Sequence, residues 1–173
     1  MPKLTFPARL AEIAFSMDVP DSFVLAPLPE DELNFDDPTH LAPLAMIHSQ
    51  VAMAVVLVAA RPAYGDGSVM EWFRYLAEHH GVPFSGLMPG HIGDGDCHPA
   101  IILDGTQTQD GTLLRYHAAL MEDGGRIILV QAMCPDELWA SFGDRITGAV
   151  RSFTLDSPKG ATAPLVPNAT IQS

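Results

Sequence analysis

Between Phe84 and Pro135 the chain is cut at short intervals by residues that turn a backbone: Pro89-Gly90, Gly93 to Gly95, Asp104-Gly105, Asp110-Gly111 and Asp123-Gly124-Gly125. Parallel strands need a crossover of roughly a dozen residues or more, which these connections cannot hold. The segments between the turns therefore pair antiparallel. They are Ala100 to Leu103, Leu113 to Met121 and Arg126 to Met133, the last two predicted to form a hairpin. Upstream, Glu12 to Val19, Phe23 to Leu28 and Leu44 to Gln50 read as further strands. Val51 to Ala60 carries four valines and no charge, the pattern of a central strand covered on both faces.

Two helices complete the pattern. Ser68 and Glu71 have the spacing of a capping box, in which each side chain answers the other's free backbone N–H. Val69, Trp72, Phe73 and Leu76 then form one apolar stripe, and Gly81-Val82-Pro83 stops the helix. His79 and His80 sit at its C-terminal end, where an imidazolium suits the helix dipole. Pro135 opens a second helix with Asp136 and Glu137 at its positive end, and Leu138, Phe142, Ile146 and Val150 as its buried stripe. Trp72 and Trp139 fall on the apolar faces and are expected to pack against the sheet. The fold class is α+β: an antiparallel sheet with helices on both faces, an α/β/α sandwich.

A chain of 173 residues suits one domain, expected over residues 1–155, followed by a flexible tail, 156–173, rich in Ser, Pro, Ala and Thr. With 47% hydrophobic and 17% charged residues, wholesale disorder is excluded. Twenty-one acids against nine bases give a net charge of −12, which repels phosphate backbones and anionic lipid. Nucleic acid and membrane surfaces are thus unfavoured partners. Pro7, Arg9 and Glu12 interrupt the apolar stretch a secretory leader would need. The apolar run Val51 to Ala60 is half the roughly 20 residues of a membrane span. A cytoplasmic location is the expectation.

Several short segments give the chain a family likeness. Phe15-Ser16-Met17-Asp18-Val19-Pro20 lies near the start, Pro135-Asp136-Glu137-Leu138-Trp139 opens the last helix, and Arg151-Ser152-Phe153 closes it. With the turns at Asp104-Gly105-Thr106 and Asp123-Gly124-Gly125-Arg126, these resemble the PsbP-like superfamily over about residues 10–155. That superfamily includes the extrinsic photosystem II subunit, a Ran-binding nucleotide-release factor, LpqN/LpqT-type lipoproteins and adaptor chaperones of secretion effectors. The resemblance implies an antiparallel sheet sandwiched by helices. It implies no single function, because one fold hosts unrelated roles.

The densest polar segment runs from His91 to His98, with His91, Asp94, Asp96, Cys97 and His98 among glycines. Imidazoles and carboxylates this close could wrap a divalent cation. As a calcium loop beginning at Asp94, however, it has Pro99 and Gly105 where Gly and Glu are required. The competing reading is a solvated strand connection whose Gly and Asp residues make turns. Cys97 and Cys134 have no zinc or redox spacing, and each suits a small buried hydrophobe, with a single disulfide left open. His117 lies mid-strand without a nucleophile motif. The sequence contains no G-x-S-x-G, phosphate-binding glycine loop or dinucleotide fingerprint, so neither a catalytic residue nor a cofactor is expected.

The remaining lead is charge. No Lys or Arg occurs between Arg9 and Arg61, whereas eight acids do, five of them in one loop: Glu30, Asp31, Glu32, Asp36 and Asp37. Such a patch steers a basic partner, although the same charges also keep a loop soluble. These features favour a non-catalytic binding or adaptor module, monomeric or homodimeric, with a protein partner that presents a basic surface. The alternatives are a metal-binding protein or metal-dependent enzyme using residues 91–98, and a small-ligand carrier with a groove between sheet and helix.

Overall fold

The computed structural model describes residues 1–7, 13–28, 40–62, 69–80 and 87–156. Their strands are β1 (Lys3–Phe6), β2 (Phe15–Asp18), β3 (Phe23–Leu25), β4 (Ala42–Ser49), β5 (Val55–Pro62), β6 (Leu87–Ile92), β7 (His98–Gln109), β8 (Thr112–Asp123), β9 (Arg126–Pro135) and β10 (Thr154–Leu155). Two helices, α1 (Val69–His80) and α2 (Trp139–Ser152), and single 3-10 turns at Asp94–Asp96 and Asp136–Leu138 complete them. Among the described residues, β1, β2 and β10 form a three-stranded sheet, and the others a seven-stranded sheet in the order β3-β4-β5-β9-β8-β7-β6. Every pairing is antiparallel.

Turn chemistry sets the register of the long strands. Asp110 and Gly111 take φ of 50° and 80°, and Gly124 and Gly125 take 56° and 81°. Two successive left-handed residues give the tight hairpin whose twist matches that of the strands it joins. The result pairs Gln109 with Thr112 and Asp123 with Arg126.

Burial then divides the side chains of β8 and β9 into two alternating sets. Ala119, Met121, Ile128, Val130, Ala132 and Cys134 join one buried cluster with Ile146, Ala149 and Val150 of α2. Leu120 and Ile127 join another with Val69, Trp72, Phe73 and Leu76 of α1. The first cluster takes in the three-stranded sheet as well. Phe15 stacks at 4.6 Å on Phe6 and lies 5.0 Å from Phe153, so aromatic rings tie β1, β2 and the end of α2 together. Full burial of residues such as Ile146 and Val150 contributes about 1.5–3 kcal/mol each, which fixes α2 on its strands.

Several sequence expectations shift. Val51 to Ala60 is not one strand: residues 50–53 form a bend between β4 and β5, leaving Val51 77% and Met53 71% exposed. No Gly or Pro marks this turn, so apolar character alone suggested a continuous strand. Asp104-Gly105 is not a turn but lies inside β7, and Pro89-Gly90 lies inside β6. Gly105 is needed because a Cβ there would stand 2.6 Å from the Tyr116 hydroxyl of the neighbouring strand. Strand β1 had no sequence signal. At the start of α1, the Val69 N–H donates to Glu122 Oε1 at 2.5 Å; Ser68 lies outside the described residues. The tail after Asp156 also lies outside them.

Gly143 provides a test of the packing. Glycine inside a helix costs about 1 kcal/mol relative to alanine, but a Cβ here would sit 2.8 Å from the Trp139 ring. Gly143→Ala should therefore lower the melting temperature instead of raising it, and in the background of Trp139→Ala the same change should become stabilising. Thermal unfolding of the four proteins in this cycle measures both signs.

Candidate functional site

The histidine- and aspartate-rich connection is fully described, and two of its side chains, Asp94 and His98, are engaged. His91 is the penultimate residue of β6 and is exposed. Asp94 accepts from Lys3 Nζ at 2.5 Å, and its N–H donates to Thr154 Oγ1 at 2.9 Å. His98 Nε2 accepts the Leu155 N–H at 3.0 Å, and the Gly93 N–H donates to the Arg151 carbonyl at 2.7 Å. Asp96 is exposed with φ of 54°. Together these bonds fasten the β6–β7 connection to β1, to β10 and to the end of α2. They do not converge: among the described residues no three His, Cys, Asp or Glu side chains are grouped to hold a metal ion. Cys97 is exposed and Cys134 buried, and both are free thiols. Burial pushes the Cys134 thiol pKa up, with Asp136 acting in the same direction.

His117, mid-strand in β8, has a partner that the sequence concealed. Its Nδ1 lies 2.6 Å from Asp104 Oδ1, and a carboxylate can only accept, so Nδ1 carries the proton. Asp104 was read as a turn residue; in β7 it pairs directly with His117. The carboxylate orients the ring as it would orient a general base. Yet His117 is 4% exposed, and its Nε2 is buried without a hydrogen-bond partner. No substrate reaches that nitrogen in this structure. Beside it lies a polar recess of about 330 Å³ bordered by Asp104, Thr106, Arg115 and Trp139. Arg115 is already engaged there, donating to Asp136 at 2.7 Å and lying 5.6 Å over the Trp139 ring.

An open cleft forms where helix cover runs out. Helix α1 has 12 residues and is about 18 Å long at ~1.5 Å per residue. Strand β8 also has 12 residues but extends about 40 Å. Leu120, Ile127 and Leu129 lie under α1, whereas Gln131 and Met133, next in the same alternation, fall progressively beyond it. A groove of about 260 Å³ follows between α1 and the strands, bordered by Trp72, Leu103, Tyr116 and Gln131. Further along, the β4–β5 and β7–β8 turns wall a larger cleft of about 410 Å³. Its apolar surface comes from Ala52, Met53, Val55, Leu114 and Met133. His48, Gln109, Asp110 and Thr112 supply polar atoms. Val51 and Met53 project beside it as the two most exposed large apolar side chains among the described residues.

Sequence reasoning missed this cleft because it assigned Val51 and Met53 to a buried strand. The available signal was length: β4 and β5 cannot both fit into one run without a turn. The acidic residues Glu30, Asp31, Glu32, Asp36 and Asp37 lie outside the described residues.

No family model matches the sequence. No curated relative matches it either. Likeness appears at the level of structure. A crystal structure from Bacteroides thetaiotaomicron VPI-5482 superposes with TM-score 0.56 at 12% identity, covering 91% of this chain and 49% of that one, so this chain spans about half the length of that protein. LpqN of Mycobacterium tuberculosis, described as involved in cell envelope biogenesis, gives TM-score 0.50 at 15% identity and covers 91% of each chain. The cyanobacterial PsbP, CyanoP, of Synechocystis sp. PCC 6803 gives 0.45 at 8%, covering 82% and 86%. The chain shares its fold with LpqN, a type its sequence resemblance included. No helix among the described residues is long and apolar enough to cross a membrane.

His98 yields a pH prediction. Its folded pKa lies below the ordinary 6.5, because burial disfavours the imidazolium, while Asp123 acts weakly the other way. A lowered histidine pKa means the unfolded chain binds the proton more readily, so this contribution is complete above pH 6.5 and is lost as pH falls through the folded value. His98→Gln should flatten the loss of stability below that pH. Urea midpoints measured across the mildly acidic range check it.

Proposed function

We propose that the protein is a non-catalytic binding module that docks a protein partner in the cleft between the β4–β5 and β7–β8 turns. The observation that carries this reading is the exposure of Val51 and Met53 beside an apolar recess of about 410 Å³. Two neighbouring large apolar side chains exposed beside an apolar recess make the contiguous kind of patch that marks a contact surface. Methionine, with a flexible and polarisable thioether, adapts to varied apolar partners. The alternating clusters of β8 and β9 support the sandwich arrangement, α1 on one side of the sheet and α2 on the other. This arrangement would leave the cleft on the side that α1 covers only in part. The acidic residues Glu30, Asp31, Glu32, Asp36 and Asp37 are a second candidate contact, supported by their charge alone.

Affinity capture from native lysate tests the reading with three baits. They are the wild type, a Val51→Ser/Met53→Asp variant, and a variant with the five loop acids changed to amides. The Val51→Ser/Met53→Asp variant should keep the stability of wild type to within about 0.5 kcal/mol, since both side chains are exposed. A partner held by wild type and by the loop variant, but lost from Val51→Ser/Met53→Asp, is the expected result. Equal capture by all three baits would contradict the cleft as the docking site.

A further inference from the structure

We infer that the cleft's occupant is a polypeptide segment that inserts one or two apolar side chains and carries a lysine or arginine next to them. This rests on the reading of the cleft as a docking site and adds the chemistry of what docks. Size limits the insertion: about 410 Å³ is near the lower end of the range for ligand sites, enough for an anchor and too small for a whole apolar helix face. Charge sets the flank. The residues lining the cleft include no Lys or Arg, and their titratable members are His48 and Asp110. Asp110 stands at the head of the β7–β8 turn with φ of 50°, an exposed carboxylate on the rim of an apolar hole. Among the described residues Asp110 has no ion pair for an incoming cation to displace, whereas an acidic flank meets repulsion from a chain of net charge −12.

Main-chain recognition has its own provision. The side-chain amides of Gln107 and Gln131 approach the Met133 sulfur at 3.7 Å and 3.9 Å. A thioether is a weak acceptor, and each amide carries two donors and a carbonyl, so both keep capacity for an incoming peptide group. Met133 itself lines the cleft, which places these amides beside the inserted anchor. An apolar small molecule would fill the hole but would use neither the rim carboxylate nor the amides.

The test uses two short fluorescein-labelled peptides of identical leucine content, one flanked by lysine and one by glutamate, titrated by anisotropy onto the full chain. The lysine peptide should bind about tenfold more tightly, and high salt should reduce the difference. Asp110→Asn should remove most of the preference; asparagine tolerates the left-handed backbone there, so folding is retained. Met53→Asp should weaken both peptides. Equal affinity for both, lost in Met53→Asp, would overturn the basic flank while leaving the cleft reading intact. A lysine preference unchanged in Asp110→Asn would overturn the role of that carboxylate and with it this inference. Binding unaffected by Met53→Asp, or no binding of either peptide, would overturn both readings.

Discussion

Ile127 and Ile128 are neighbours in β9, and both are completely buried. Successive residues of a strand point to opposite faces, so the two side chains are buried by different sets of neighbours. Ile127 belongs to the cluster built with α1 and Ile128 to the one built with α2. The remainder of the architecture follows from that double burial. Strands β5 and β8 flank β9 on either edge, so its backbone groups pair on both sides. Small side chains such as Ala119 and Ala132 let α2 approach closely, and larger ones such as Met121 and Val130 fill the space between.

The two covers are unequal. The α2 cluster recruits Phe15, Met17 and Phe153 and gains the three-stranded sheet as further cover. The α1 cluster is smaller, and the helix that makes it is about half as long as the strands beneath. The sequence of β9 follows this change along its length: Ile127 and Leu129 give way to Gln131 and Met133, residues that tolerate partial solvation. The proposed docking cleft therefore lies where burial is incomplete. Where burial is complete, chemistry is silent: His117 and Asp104 have the geometry of a general-base pair, but the ring is walled in.

The antiparallel sheet, the stripe of α1 and the hairpin at Asp123-Gly124-Gly125 were legible because each rests on local chemistry: paired left-handed turn residues or a 3.6-residue period. What escaped reading depended on a partner distant in sequence. Gly105 looked like a turn until Tyr116 was placed across from it, and Asp104 looked like turn chemistry until it met His117. His98 and Asp94 looked like metal ligands. They bond Leu155 and Lys3, contacts separated by 57 and 91 residues that no local pattern encodes. Val51 and Met53 were misplaced for the opposite reason: apolar character is the usual sign of burial, yet both side chains are exposed.

The unequal cover is tested most directly by methionine methyl NMR in the presence of a soluble paramagnetic relaxation agent. The methyl groups of Met53 and Met133 should broaden, Met53 the more strongly, while those of Met17 and Met121 stay sharp inside the core. Equal protection of all four methyl groups would mean that the sheet is covered on both sides along its whole length, and the account of an open, partner-binding end would be wrong.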